Sequence, residues 1–206
     1  MGKHAQSVDK TILSRITGKG RGCVFTPVDF LDLANRNTVG KVLSRSVKAG
    51  TIRQLSRGLY DYPISDPRLG LIPPSTDDIA KALKDRHATR LQASGAHAAN
   101  ILGLSEQVPV RSVFLTDGRG RKVQLGKRQI ILKQTTPRQM ATAGRISGTV
   151  IQALRWIGQR QVDDRMISTL RRNLTDEHKK QLLKDLRYAP AWIAKLMRAI
   201  AETGKT

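Results

Sequence analysis

The chain has 206 residues, with 37 Lys or Arg against 16 Asp or Glu, giving a formal net charge of +21. An apolar share of 39% can build a core, which excludes global disorder, while 4% aromatics point to small aliphatic cores and helices. A chain this basic favours polyanions, namely DNA, RNA or an acidic lipid surface; solubility alone is the plainer alternative.

The first residues, Met-Gly-Lys-His-Ala-Gln-Ser, contain no apolar signal core. They also miss the myristoylation pattern, because Gln6 stands where Ser or Thr is required. No later stretch reaches the apolar length of a membrane span. The expectation is a cytoplasmic protein with no membrane partner, from a cell without a nucleus.

Val8 to Thr17 reads as a first helix, with Val8, Ile12, Leu13 and Ile16 on one face. Gly18-Lys-Gly-Arg-Gly22 breaks the period. No strand precedes it and no Gly-Lys-Ser/Thr follows, so it is read as a flexible connection rather than a phosphate loop. Cys23-Val-Phe25 reads as a very short strand. Thr26-Pro-Val-Asp29 has the cap, first-turn proline and acidic residue of a second helix bearing Phe30, Leu31 and Leu33.

After a turn at Asn35-Arg-Asn37, Thr38 is expected to cap a third helix. Val39, Val42, Leu43 and Val47 form its buried stripe, and Gly50 ends it. Lys41, Ser44, Arg45 and Lys48 lie on the opposite face. Small polar and basic side chains there can meet phosphates or base edges, or form an ordinary solvated face. Thr51 to Tyr60 then reads as a hairpin with Arg57-Gly58 at its tip and Arg53 and Arg57 projecting from it. Helix, short strand, helix, turn, helix, hairpin is the order of a winged helix-turn-helix, in which the third helix enters the major groove and the hairpin reaches the flanking backbone.

Pro63, Pro67, Pro73 and Pro74 give the following stretch a boundary composition. The organisation expected is a winged helix-turn-helix domain over 1–66, a linker over 67–75 and a second domain over 76–206. In the second domain, helices are expected from Thr76 to Asp85 and from Ala96 to Leu102. Three strands follow, Arg111 to Thr116, Arg121 to Leu125 and Gln129 to Gln134, joined by turns at Asp117-Gly118 and Gly126-Lys127. A longer helix carries Ile146, Val150, Leu154 and Ile157, and three more begin at Asp163, Thr175 and Pro190. The fold class is α+β: an N-terminal winged helix, then a mixed domain with a small antiparallel sheet and a helical C-terminal part.

Catalytic and metal chemistry find little purchase. His4, His87, His97 and His178 lack ligand spacing, and Cys23, the single cysteine, can form neither an internal disulfide nor a cysteine metal cluster. Burial habit makes Cys23 a packing residue. The pairs Asp77-Asp78 and Asp163-Asp164 stand where helices begin, so helix-end electrostatics explains them. Gly120 to Lys127 has neither the spacing nor the hydroxyl residue of a phosphate loop. No nucleophile–base set is legible, so a non-enzymatic protein without a cofactor is expected.

The stretches Phe25-Thr-Pro-Val-Asp-Phe30 and Leu43-Ser-Arg-Ser-Val-Lys-Ala-Gly-Thr-Ile-Arg-Gln-Leu-Ser-Arg-Gly-Leu-Tyr60 resemble the N-terminal winged helix of AbiEi-type antitoxins, the transcriptional regulators of bacterial type IV toxin–antitoxin systems. Arg90-Leu-Gln-Ala-Ser-Gly-Ala-His-Ala-Ala-Asn-Ile-Leu-Gly-Leu104 is similar, more weakly, to the opening of that family's second domain. The resemblance implies an autorepressor that binds duplex DNA at inverted repeats in its own promoter. It also implies a second domain that counters a nucleotidyltransferase-type toxin, without need of a stable complex. Thr38, Lys41, Ser44, Arg45 and Lys48 match the family's recognition-helix face, and Arg53 and Arg57 its wing. The basicity of the second domain is not part of that pattern and keeps open the alternative of an RNA-binding or ribosome-associated protein using a winged helix as scaffold. A nucleic-acid enzyme with an unseen site is a third reading.

Overall fold

The computed structural model describes residues 3–84 and 90–202, with side chains from Val8 onward. The chain is mixed α+β, with small antiparallel strand pairings in both halves and helices at the C-terminal end. It divides into two compact units, one reaching Leu83 and the other starting at Lys84.

The first unit opens with α1 (Lys3–Gly18), which buries Ile12 and Ile16. The glycine-rich segment after it is fastened, not loose. The Gly22 amide donates to the Tyr62 carbonyl at 2.6 Å, and the Arg21 guanidinium donates to the Pro63 carbonyl at 3.0 Å and lies 4.7 Å from the centre of the Tyr62 ring. Strand β1 (Val24–Phe25) leads to Pro27–Phe30, which is a single 3-10 turn where a full helix was expected. The Asp29 carboxylate accepts from the Thr26 amide at 2.7 Å and from its hydroxyl at 3.1 Å, so the start signal is real. It is not extended, because Phe30 is buried against Phe25 while Leu31 is exposed and offers no second apolar turn.

Helix α2 (Arg36–Lys48) begins one turn before the expected cap. The Asn35 side chain accepts from the Thr38 amide at 3.0 Å, so Asn35 is the cap and Thr38 lies within the first turn. Val39, Val42 and Leu43 are buried as the stripe requires. Ser46 joins them because its hydroxyl is satisfied by the Val42 carbonyl at 2.9 Å.

Strands β2 (Arg53–Ser56) and β3 (Leu59–Asp61) make the expected hairpin, and β3 also pairs with β1, giving an antiparallel sheet ordered β1-β3-β2. The turn at Arg57-Gly58 needs a left-handed residue, and Gly58 supplies it with φ of 73°. The core gathers Ile12, Ile16, Phe25, Phe30, Val39, Val42, Leu43 and Ile52, with Tyr60 packed against it. Each large side chain fully buried there contributes about 1.5–3 kcal/mol.

The proline-rich stretch is part of this unit and not a linker. Strands β4 (Ile64–Asp66) and β5 (Gly70–Ile72) form a second hairpin, its turn held by the Asp66 carboxylate, which accepts from the Arg68 and Leu69 amides at 2.8 Å each. Helix α3 (Thr76–Leu83) then packs on β1 and buries Ile79, Ala80 and Leu83. Proline marks a break in a ladder but is tolerated at turns and edge strands, so its density does not locate a domain boundary here. The expected helix end at Asp85 lies outside the described residues.

The second unit contains β6 (Leu91–Ser94), α4 (Gly95–Ile101), β7 (Arg111–Thr116), β8 (Arg121–Leu125), β9 (Arg128–Gln134), α5 (Ile146–Ile157), α6 (Asp164–Asn173), α7 (Asp176–Lys184) and α8 (Ala191–Ala201). Its sheet is ordered β6-β7-β9-β8. The central pair β7 and β9 is parallel, Arg111 opposite Gln129 through Thr116 opposite Gln134, and the outer pairs are antiparallel. The sheet is therefore mixed where an antiparallel one was expected, and β7 and β8 are not neighbours. Turn residues identify strand ends but do not choose the partner across a sheet.

Helix α5 is buried on most sides and packs against α4, β6 and α7. Two polar devices lock it. Buried Asp185 accepts from Arg145 at 2.6 Å, from Gln181 at 2.9 Å and from the Ser147 hydroxyl. Buried Gln92 of β6 donates to Thr149 at 3.2 Å, directly over Gly148. The expected caps Asp163 and Thr175 each accept from the third amide of their helix, at 2.8 and 3.3 Å.

Candidate nucleic-acid interface

The outward face of α2 is the strongest surface feature of the first unit. The helix Arg36–Lys48 has no acidic residue, so no side chain of its own offsets Arg36, Lys41, Arg45 and Lys48. Lys41, Ser44, Arg45 and Lys48 are exposed as expected, and Thr38 is half-buried at the helix start. Arg36, Asn37, Gly40, Lys41, Ser44 and Arg45 line one open depression. Gly40 keeps its floor at the backbone. Arg36 and Asn37 belong to this face but were missed, because the helix start was placed one turn too late. Asn35, a residue type preferred at helix caps, is the signal that points to them.

Two of the named arginines have partners. Arg45 donates to Asp9 of α1 at 2.6 and 2.8 Å, tying α2 to α1 across its exposed face. Arg53 does not project from the hairpin. It donates to both oxygens of Asp61, at 3.1 and 2.6 Å, and to the Ile72 carbonyl at 3.2 Å. Asp61 is only 1% exposed, so this is a buried carboxylate with its counter-ion. The hydrogen bond to Asp61 raises the Arg53 pKa above its ordinary value. Residue 53 alternates toward the interior because it lies across from Asp61 in the β2–β3 register. Arg57, at the tip, is exposed and makes no ion pair with any described residue.

Cys23 is half-buried, its Sγ near the Ile16 carbonyl at 3.8 Å, and burial pushes its thiol pKa up, away from the reactive thiolate. His97 is buried beside the Phe114 ring, with centroids 5.0 Å apart. Among the described residues, no three His, Cys, Asp or Glu side chains converge as metal ligands. Among them, too, no helix is long and apolar enough to cross a membrane.

Fold and site together define a two-unit α+β protein whose first unit presents an acid-free basic helix beside an arginine-tipped hairpin. The chain belongs to DUF6088, a family of unknown function, whose model matches residues 11–182 and so spans both units. No curated protein matches it.

Proposed function

We propose that the protein is a DNA-binding transcriptional autorepressor whose first unit works as a winged helix-turn-helix. In this reading α2 is the recognition helix, with Arg36, Asn37, Lys41, Ser44 and Lys48 toward the major groove, and Arg57 reaches the flanking phosphates from the wing. The observation that carries it is the exposed basic face of α2, a helix with no acidic residue of its own, in the same unit as a hairpin whose tip arginine makes no ion pair among the described residues. By resemblance to AbiEi-type regulators, the second unit would serve as an antitoxin against a nucleotidyltransferase-type toxin, without catalysis of its own.

Footprinting on the region upstream of its own gene tests the reading. Protection of a repeated motif is expected, with log affinity falling linearly with log salt as phosphate contacts release counterions. Equal affinity for promoter and random duplex at moderate salt removes it. RNA binding is favoured as a second reading by the exposed Arg121, Lys122 and Lys133 of the β8–β9 sheet edge. Tighter binding to structured RNA than to promoter duplex at equal salt would select that reading.

A further inference from the structure

The second unit has a cleft of about 410 Å³, within the range of roughly 300–1,000 Å³ that small-molecule sites occupy. Arg138, Thr142, Gln152, Arg155, Tyr188 and Pro190 line it, and both arginines are exposed. No carboxylate is among its lining residues. Neither arginine has a counter-ion among the described residues, although the same unit gives Arg90 and Arg145 carboxylate partners.

Two of the wall residues are buried and hold unspent donors. Gln152 is 8% exposed, and its Oε1 accepts from the Ser94 hydroxyl at 3.3 Å. That contact orients the amide and leaves Nε2 without an acceptor among the described residues. Thr142 is 5% exposed, and its hydroxyl makes no hydrogen bond to a described residue. Both atoms keep contact with the open space of the cleft, so each is free to donate to a ligand there. Pro190 is also the N-cap of α8, whose first turn has no acidic residue and no side-chain cap. Free amides at a helix start add positive potential beside the cleft. Arginines, spare N–H and O–H donors and a helix start, without one fixed anion, describe a receptor for a compact, multiply charged acceptor.

We propose that this cleft binds the phosphate monoester of a nucleotide, with Arg138 and Arg155 pairing its oxygens, Gln152 and Thr142 donating to it, and the nucleoside lying along Ile151 and Tyr188. The phosphate can belong to a free mononucleotide or to the 5′ end of a strand. The assignment is independent of promoter recognition, since every residue in it lies in the second unit.

The test is calorimetric titration of the full-length protein at 150 mM salt (about an 8 Å screening length) with AMP, and with a short oligonucleotide carrying either a 5′-phosphate or a 5′-hydroxyl. Saturable one-site binding of AMP assigns the free nucleotide. A 5′-phosphate oligonucleotide that binds at least tenfold tighter than its 5′-hydroxyl twin assigns the strand end. In either case Arg155→Gln and Arg138→Gln should each weaken binding about tenfold or more, and Thr142→Val about threefold. Lys180→Gln, a charge change outside the cleft, should leave it within twofold. Thermal unfolding of each variant guards against misfolding, and the two exposed arginines can be exchanged without touching the core. The proposal is overturned if neither AMP nor the 5′-phosphate is preferred, or if Lys180→Gln weakens binding as much as the cleft variants do.

Discussion

Arg53 and Arg57 are four residues apart on one hairpin, yet the structure gives them different work. Arg53 neutralises the buried Asp61, so Arg53→Ala leaves a carboxylate uncompensated in the interior. Breaking a buried pair from one side costs about 3–5 kcal/mol, and the loss should appear as a lower unfolding midpoint of the first unit. Arg57→Ala should leave that midpoint alone, weaken all duplexes alike and reduce the salt slope by about one unit. If Arg53→Ala is neutral in denaturation but cuts DNA affinity, the partition between the two is wrong. Arg45 is intermediate: it is exposed yet held by Asp9. An exposed pair of this kind is worth at most about 1 kcal/mol, so DNA can compete for the guanidinium. Asp9→Asn frees Arg45 and removes a negative charge from the face, so duplex affinity should rise severalfold in a binding titration. A fall in affinity would mean that the Asp9 contact holds α2 in its binding orientation.

Elements were legible wherever a local signal was sufficient. The strands Arg111–Thr116 and Arg121–Leu125, and the helix starts after Asp163, Thr175 and Pro190, follow from alternation and caps, which act over three or four residues. What was not legible depends on distant partners. Strand β6 (Leu91–Ser94) is too short and too polar to announce itself, and it exists because it pairs with β7. The parallel β7–β9 pairing and the pairing of Arg53 with Asp61 need the register of a sheet, which composition does not encode. The basic face proposed to meet DNA is half legible: its exposed lysines follow from the helical period, but its first two residues depend on the cap at Asn35. Gly148 is a further case. A methyl group there would meet the Gln92 Oε1 and the Thr142 carbonyl, so only glycine lets β6 approach α5. Gly148→Ala must displace backbone as well as a side chain and should cost about 1–3 kcal/mol, despite alanine's better helix propensity. A chemical denaturation series reads this directly, and a stabilised variant would show that the β6–α5 contact has room for a methyl group.

At the scale of the whole molecule, the division of labour depends on where the first unit ends. Composition places that end near the prolines, whereas packing places it after Leu83. The difference is physical: α3 buries Ile79 and Leu83, at 2% and 4% exposure, with Ala80 between them, against β1. Removing two such side chains from a core forfeits about 3–6 kcal/mol, a large part of the 5–15 kcal/mol that holds a typical domain together. Arg53 also donates to the Ile72 carbonyl, so truncation before β5 loosens the ion pair with Asp61 as well. A fragment 1–84 should therefore unfold in one cooperative transition and keep the promoter binding proposed for α2. A fragment 1–66 carries the same α2 and hairpin but should be only partly folded at 25 °C, with broad thermal unfolding and weaker binding. Fragment 85–206 should lose promoter preference while keeping the phosphate cleft. Circular dichroism melts and promoter titrations on the three fragments, run side by side, decide the matter. Matching melts and matching affinities for 1–66 and 1–84 would show that α3 is dispensable and return the boundary to the proline-rich segment.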